Sequence, residues 1–236
     1  KMDKTIKRSL KHYNLAINAD STYANPYHNI GYAFMVIGND YVKAEKYLNK
    51  CLKKDSTVEE AYLNRGIARS KLNKNKLAIK DFRKYINMPY SNEDFKAYYY
   101  MGEIFEKAGD TIKALELYNS SFNESQSQRK TVEKLKSIHA KKENYSKALF
   151  YNEKLIEISS AENDQVWVDK GNYHLLLKDT VNAIKAWEKA FNIYPGNYEI
   201  GMTLSRYYAG EGNIKKAKSI SRKAVLFRQK QKQNGR

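Results

Sequence analysis

The sequence predicts an all-α protein built from repeats, and three observations support this prediction. A pattern of about 34 residues recurs along the 236-residue chain, which is typical of helical solenoids and related arrays. In each copy a small residue lies between larger apolar ones, and an alanine follows later in the copy. Clusters of Gly, Asn and Asp, which mark turns, separate the two halves of several copies. A repeat of this length excludes most enzyme folds, in which one site is assembled once.

Five copies align directly, and a sixth is weaker. The small residues of the five are Gly31, Gly66, Gly102, Gly171 and Ser205, and the alanines that follow them are Ala44, Ala78, Ala114, Ala183 and Ala217. The weaker copy has Val132, Leu135, His139, Ala148 and Leu155 in the corresponding positions. It carries Lys136 where the other copies have glycine or serine.

The copies resemble the tetratricopeptide repeat (TPR), whose signature runs W-x2-L-G-x2-Y, then A-x3-F, then P. One copy has Trp167, Gly171 and His174 at the first set of positions, followed by Ala183 and Trp187. The resemblance covers nearly the whole chain. It implies a right-handed α-solenoid of antiparallel helix pairs, with about six repeats and an N-terminal half repeat.

The repeat frame predicts one solenoid domain over residues 1–236. The half repeat occupies residues 1–23, full repeats begin near residues 24, 59, 95, 129, 164 and 198, and a basic polar tail covers residues 228–236. Glycine and alanine are expected where paired helices approach closely, and aromatic rings between neighbouring units, where they bury a large area. Because one helix pair cannot bury its own apolar face, stability is expected from stacking of neighbours.

The chain opens at Lys1 in the middle of a repeat. We therefore expect a signal, an anchor or further repeats before it in the full-length protein. No signal-peptide core and no apolar run long enough to span a membrane is visible in the sequence. The compartment stays open between the cytoplasm and an exported location.

We expect no catalytic residue, no metal site and no cofactor. His139 and His174 occupy aromatic packing positions of the repeat. The single cysteine, Cys51, lies where the resembled family prefers alanine, so a buried packing role is expected rather than a reactive thiol. No metal-ligand spacing and no nucleophile motif is present. The sequence therefore indicates a protein that is not an enzyme.

The resemblance implies a concave groove lined by the first helices of successive repeats, in which peptides bind. The candidate peptide-binding residues are Asn29, Tyr32, Asn64, Lys96, Tyr99, Tyr100, Glu103 and Asn172. Asparagine suits main-chain amides because it both donates and accepts hydrogen bonds, and tyrosine adds apolar area. We interpret the protein as a non-catalytic scaffold for a peptide or a partner protein of unknown identity, and expect a monomer or a weak homodimer. A further interpretation is an accessory domain of a larger assembly. It implies the same binding role as the scaffold and differs only in where that role is exercised.

One subclass of the resembled family, the carboxylate clamp, binds acidic C-terminal tails through lysine, asparagine and arginine at fixed positions. Asn64 and Lys96 match that set. His28, Tyr32 and Tyr100 stand where the clamp has lysine, asparagine and arginine. We therefore expect no dedicated site for a terminal carboxylate.

The net charge of +17 is concentrated toward the C-terminal end. Residues 198–236 contain ten Lys and Arg against two Asp and Glu, a net +8. The favoured interpretation of the tail is a solvated helix end. The alternative is that this end binds the phosphates of a nucleic acid or of an anionic membrane. Against the alternative, aromatic residues do not alternate with basic ones there, as single-strand binders usually require.

The last helix of the array carries Ile220, Ala224, Val225 and Phe227 with no capping helix after it. Repeat arrays normally cover such a face with a polar cap. Inward packing against the first helix of the last repeat is expected. Binding of a partner or of a second copy is the alternative.

Overall fold

The computed structural model describes residues 4–159 and 163–234 of the chain. These residues form thirteen α-helices and no strand. The helices are α1 (Lys4–Ala19), α2 (Asn25–Val36), α3 (Tyr41–Lys54), α4 (Glu59–Lys71), α5 (Asn75–Ile86), α6 (Asp94–Lys107), α7 (Thr111–Glu124), α8 (Arg129–Lys141), α9 (Tyr145–Ile158), α10 (Asp164–Leu176), α11 (Thr180–Ile193), α12 (Tyr198–Gly210) and α13 (Ile214–Asn234). The all-α helical repeat fold is confirmed.

Helices α2 to α13 form six consecutive pairs, each joined by a short turn. The first helices of the pairs begin at residues 25, 59, 94, 129, 164 and 198. These starts agree with the frame read from the sequence to within one residue. Helix α1 packs against α2 and stands where the half repeat was expected.

Each turn inside a pair contains one residue with left-handed backbone. These residues are Asn39 (φ 48), Asn73 (φ 58), Gly109 (φ 83), Glu143 (φ 56), Lys178 (φ 62) and Gly212 (φ 78). A left-handed residue ends a helix by turning the next N–H back onto the last turn. After α6, for example, the Asp110 N–H donates to the Phe105 carbonyl over 3.0 Å. The Asp110 side chain then caps α7 by accepting from the Lys113 N–H over 2.9 Å.

The small residues that recur at the same position of the repeat lie where the two helices of a pair approach closely. A Cβ atom added to Gly66 would lie 2.6 Å from Phe82 Cε1, and one added to Gly102 would lie 2.7 Å from Tyr118 Cε1. Both distances are shorter than van der Waals contact, so only glycine fits at these positions without a shift of the ring. On the second helices, Ala44, Ala78, Ala114, Ala148 and Ala183 are 0% exposed.

Two repeats without glycine use a polar contact at the same position. Ser205 donates to the Ala217 carbonyl over 2.9 Å, so it joins α12 to α13 directly. Lys136 on α8 forms an ion pair with Asp169 on α10, and both side chains are largely buried. The lysine of the weakest repeat therefore forms an ion pair with the next repeat.

The helices form two compact units, Lys1–Ser125 and Gln126–Arg236, and each holds three of the six pairs. Ile30, Leu48 and Phe82 lie at the centre of the N-terminal unit and are 0% exposed. Trp187 and Leu204 belong to the core of the C-terminal unit. The expectation that residues 1–236 behave as one domain stays a prediction.

Helix α13 packs part of its apolar surface inward. Ala224 is fully buried, Ile220 packs against the core of the C-terminal unit, and the Phe227 ring lies edge-on to Tyr194 with centroids 5.5 Å apart. Val225 stays exposed. Across the described residues, none of the helices is both long enough and apolar enough to cross a membrane.

Candidate peptide-binding groove

The first helices of the three pairs in the N-terminal unit line a cavity of about 490 Å³. Its lining residues are His28, Asn29, Tyr32, Met35 and Val36 on α2, Glu60, Leu63, Asn64 and Ile67 on α4, and Glu93, Lys96 and Tyr100 at the start of α6. We call this surface the α2–α4–α6 groove. Five of the eight residues expected from the sequence line it, namely Asn29, Tyr32, Asn64, Lys96 and Tyr100.

Helical periodicity explains why these side chains share one surface. Residues three and four apart lie on the same face of a helix, as Asn29 and Tyr32 do on α2 and Lys96 and Tyr100 do on α6. The opposite faces are taken up by contact with the second helices, as at Gly66 with Phe82. Each first helix therefore leaves one strip of side chains for the groove.

His28 connects two repeats at the centre of the groove. Its Nδ1 lies 3.2 Å from Asn29 Oδ1, and its Nε2 lies 3.0 Å from Asn64 Nδ2. Both contacts are hydrogen bonds when the imidazole is neutral and carries its proton on Nδ1, because Nδ1 then donates to Asn29 while Asn64 donates to Nε2. Burial lowers the pKa of His28 below its ordinary 6.5, although Asn29 and Glu60 act in the opposite direction. His28 is therefore neutral at pH 7.

The charged residues of the groove do not balance. Glu93 and Lys96 form an ion pair with each other. Glu60, by contrast, has neither a hydrogen bond nor an ion pair to any described residue, and it is exposed. Lys96 is the one Lys or Arg among the residues lining the groove, and its ammonium is already taken by Glu93. The expectation of no carboxylate clamp stays a prediction.

The far end of the groove is apolar. Met35 and Ile67 are buried floor residues, whereas Val36 is 54% exposed. The Tyr100 ring stacks on Phe82 with centroids 6.1 Å apart, so it is held by the core while it borders the cavity. Tyr32 is 47% exposed and lies beside His28.

Tyr99 and Glu103 do not line this cavity. The Tyr99 hydroxyl donates to Glu103 Oε1 over 3.3 Å, and its ring packs against Tyr118 with centroids 5.8 Å apart. Burial and the neighbouring Glu103 raise the pKa of Tyr99. Successive helical residues point about 100° apart, and of this pair only Tyr100 borders the cavity, whereas His28 and Asn29 on α2 both do.

Asn172 belongs to the C-terminal unit, on α10. Its side-chain oxygen accepts a hydrogen bond from Trp187 Nε1 over 3.2 Å. This contact orients Trp187 on α11, the ring that a Cβ at Gly171 would meet at 2.3 Å. Asn172 is therefore tied to a packing contact within its own repeat.

Seven lining residues lie outside the eight candidate residues, namely His28, Met35, Val36, Glu60, Leu63, Ile67 and Glu93. Glu93 immediately precedes α6, so its place in the lining could not be predicted from the faces of a helix. Met35 and Val36 lie at the end of α2, beyond the candidate residues Asn29 and Tyr32. In the described part of the chain no group of three or more His, Cys, Asp or Glu could hold a metal ion.

Comparison with known proteins agrees with the repeat architecture. Residues 59–92 match the family model described as tetratricopeptide repeat. Over 114 residues, 46% of this chain, the sequence is 29% identical to the general transcriptional corepressor trfA of Dictyostelium discoideum. The match covers 8% of that relative's length.

Two solved structures show the same fold at low sequence identity. PilF of Pseudomonas aeruginosa matches with a TM-score of 0.67 and 14% identity over 87% of this chain and 90% of that one. YrrB, described as a TPR protein with an unusual peptide-binding site, matches with a TM-score of 0.58 and 19% identity over 80% of this chain and 95% of that one. One repeat, residues 59–92, matches the family model, and the same helix pair recurs along the described residues, so the chain contains a tetratricopeptide repeat and has the fold of these two structures.

Proposed function

We propose that this protein is a non-catalytic scaffold that binds an extended segment of a partner protein in the α2–α4–α6 groove. Proteins with this repeat bind protein or peptide partners. The observation that carries the proposal is that five residues chosen from repeat positions alone border one cavity of about 490 Å³. They come from three successive repeats of one unit.

The groove has the chemistry that a peptide main chain requires. The volume lies within the range of roughly 300–1,000 Å³ that is typical of ligand sites. Its floor is apolar and belongs to the core, while amide groups of Asn29 and Asn64 stand at the polar end. A rigid floor lowers the entropic cost of binding, because few groove side chains must be ordered when the peptide arrives.

The test uses peptides selected on the protein from a random 12-residue library displayed on phage, with affinities measured by fluorescence anisotropy. Tyr32→Ala removes an exposed groove ring. It is expected to weaken binding roughly 5- to 30-fold, corresponding to about 1–2 kcal/mol for a tyrosine at an interface. The matched control is Tyr90→Ala, which removes a ring that is 81% exposed and lies outside the groove.

Both variants are expected to unfold at the temperature of the parent protein, because neither ring lies in the core. Equal affinities of Tyr32→Ala and Tyr90→Ala for every selected peptide would show that the groove is not the binding site.

A second candidate function is supported by the charge of α13. This helix contains eight Lys and Arg and no Asp or Glu. Part of this charge is used inside the unit, since Lys216 pairs with Glu188 over 2.6 Å and Arg228 lies 4.3 Å from the centroid of the Tyr198 ring. Lys215, Lys218 and Arg222 are exposed. They offer a surface on which a nucleic acid or an anionic membrane would bind.

Salt dependence distinguishes the two candidates. Binding of labelled duplex DNA or of phosphatidylserine vesicles to α13 would fall steeply with added salt, because counterions are released on binding. It would also fall when Lys215, Lys218 and Arg222 are changed together to glutamine. Unchanged binding by that triple variant would exclude α13 as the site.

A further inference from the structure

We propose that the α2–α4–α6 groove selects a peptide in which a lysine or arginine lies about three positions from a large apolar side chain. This inference rests on the proposed function, since it names the class of peptide that the same groove takes. It is carried by the unbalanced charge at one end of the groove, the free acceptors beside it and the exposed apolar surface at the other end.

The polar end of the groove carries an uncompensated negative charge. Glu93 and Lys96 cancel each other, and His28 is neutral, so Glu60 is left without a counter-charge. The remainder of the chain is strongly basic, with a net charge of +17. At physiological ionic strength charges are screened over about 8 Å. A ligand group at the polar end therefore responds first to Glu60 and the other lining charges, while Lys71 lies 5.8 Å from the centroid of the Tyr100 ring.

A second acceptor stands one helical turn from Glu60. Asn64 lies four residues further along α4, so the two side chains share a face. Its Nδ2 donates to His28 Nε2 over 3.0 Å, which turns its carbonyl oxygen away from the imidazole. That oxygen has no hydrogen-bond partner among the described residues and is not sealed from solvent. An ammonium or guanidinium group needs several acceptors at once, and Glu60 with Asn64 supplies them.

His28 acts here as a positioning residue. A neutral imidazole with its proton on Nδ1 accepts from the Asn64 amide, and that bond determines which end of the amide faces the groove. Tyr32 adds an exposed aromatic ring beside His28, with centroids 6.4 Å apart. The face of such a ring attracts a cation that approaches it.

The opposite end of the groove suits an apolar side chain. Val36 is exposed above a floor that includes Met35 and Ile67. Glu60 and Ile67 are seven residues apart on α4, which corresponds to about 10 Å along a helix. An extended peptide advances about 3.3 Å per residue, so this distance corresponds to a spacing of about three positions.

The same arrangement disfavours acidic ligands. A carboxylate at the polar end would meet Glu60, and the nearest cation of the lining, Lys96, is held by Glu93. That exposed pair is weak, so the main cost to an acidic tail is repulsion by Glu60. The groove thus differs from one built for acidic C-terminal segments.

The test compares Glu60→Lys with Glu199→Lys, using the peptides that the phage library yields. Glu60 and Glu199 are both the second residue of a first helix, and both are exposed without an ion-pair partner among the described residues. The two substitutions therefore disturb the helix dipole equally, and only the first lies in the groove. Peptides with the proposed spacing are expected to be selected, and to bind Glu60→Lys at least about 10-fold more weakly than Glu199→Lys.

The outcomes separate this inference from the proposed function. Peptides that lose affinity with Tyr32→Ala but carry no lysine or arginine, or that bind Glu60→Lys as they bind the parent, would overturn the inference and leave the groove as the binding site. A selection in which no peptide responds to Tyr32→Ala or to Glu60→Lys would overturn both.

Discussion

Asn64 on α4 donates a hydrogen bond to Nε2 of His28 on α2 over 3.0 Å, and this contact joins the first helices of two successive repeats. Because His28 Nδ1 also lies 3.2 Å from Asn29 Oδ1, the pair of contacts fits a neutral imidazole. Protonation would place an N–H opposite the Asn64 NH2 group, and the amide would have to turn over. The polar end of the groove is therefore expected to respond to pH.

The first prediction concerns pH and stability. Burial lowers the pKa of folded His28 below 6.5, so the unfolded chain takes up a proton at higher pH than the folded one. The contribution of His28 to stability is therefore full above pH 6.5 and is lost as the pH falls through the lowered value. The groups that face His28 are Glu60, Asn29 and Asn64, together with Cys51, whose thiol bonds to the His28 backbone.

Urea unfolding followed by circular dichroism at about pH 7.5 and about pH 5 measures this effect. His28→Gln is expected to lose less stability on acidification than the parent, while His12→Gln, which replaces an exposed histidine on α1, is expected to behave like the parent. His139, whose pKa is also lowered by burial, contributes equally to all three proteins. If His28→Gln lost as much stability on acidification as the parent protein, the lowered pKa of folded His28 would be contradicted.

The second prediction concerns close helix approach. Gly102→Ala is expected to destabilise the protein by about 1–3 kcal/mol, because the new Cβ would lie 2.7 Å from the ring of Tyr118. Tyr118 cannot move away freely, since its hydroxyl donates to Glu106 over 2.6 Å. Gly210→Ala is the matched control, because this helical glycine has nothing within 4 Å of the new Cβ. It is expected to be neutral or to stabilise by about 0.5 kcal/mol.

Urea denaturation compares the two alanine variants directly. A Gly102→Ala protein as stable as Gly210→Ala would show that the helices of the third pair do not approach as closely as the structure indicates.

The third prediction concerns a buried ionic network between α3, α4 and α5. Asp81, whose side chain is 3% exposed, binds Arg65 Nη2 and Arg69 Nη1, each over 2.7 Å. Arg69 also binds Glu45 over 3.0 Å. Asp81→Ala is expected to cost about 3–5 kcal/mol, because it leaves two largely buried guanidinium groups without their shared partner.

The control for Asp81→Ala is Glu116→Ala, which breaks the exposed pair of Lys113 and Glu116 on α7. Exposed pairs of this kind contribute at most about 0.5 kcal/mol. Thermal or urea unfolding that gave the two variants equal stability would show that the network is as weak as a surface pair.

The fourth prediction concerns the turns inside the repeats. Glu143 has a φ of 56°, a conformation that costs a non-glycine residue about 1–2 kcal/mol. Glu143→Gly is expected to stabilise the protein by about 0.5–1 kcal/mol after the larger entropy of the unfolded glycine is subtracted. Lys185→Gly, at an exposed position inside α11, is expected to destabilise it by about 0.5–1 kcal/mol. If Glu143→Gly were less stable than the parent protein, the left-handed backbone conformation of residue 143 would be contradicted.

The fifth prediction concerns the expectation of one domain. The chain has one cysteine, Cys51, in the N-terminal unit, and two tryptophans, Trp167 and Trp187, in the C-terminal unit. Cys51 is 0% exposed, and burial raises its pKa to about 11, so the thiol becomes reactive when the N-terminal unit opens. If the chain unfolds as one cooperative domain, thiol labelling and tryptophan fluorescence will give the same urea midpoint of unfolding. Two separate midpoints would contradict a single domain.

The sequence allowed the repeat frame and the helix starts to be predicted because their physical requirements are local. Gly66 and Gly102 are needed where a ring of the second helix fills the space, and such a requirement recurs at a fixed spacing. The turns at Asn73 and Glu143 could not be predicted as readily, since there a non-glycine residue adopts the left-handed conformation.

The candidate site could be predicted in part for a related reason. Repeat positions identify which face of a first helix is free, and this placed Asn29 and Asn64 in one groove. Pairings between helices have no local signature. The ion pair of Arg69 with Glu45, and the bond between His28 and Asn64, join residues 24 and 36 positions apart, and both depend on the stacking of repeats.

Photo-crosslinking shows whether partner segments bind in the α2–α4–α6 groove. A selected peptide that carries a benzophenone group is irradiated with the full chain, and the attachment site is mapped by mass spectrometry. Attachment is expected at residues of α2, α4 or α6 in the N-terminal unit. Crosslinking is expected to be lost in Tyr32→Ala and kept in Tyr90→Ala. Attachment to α13, or attachment that persists unchanged in Tyr32→Ala, would contradict binding in this groove.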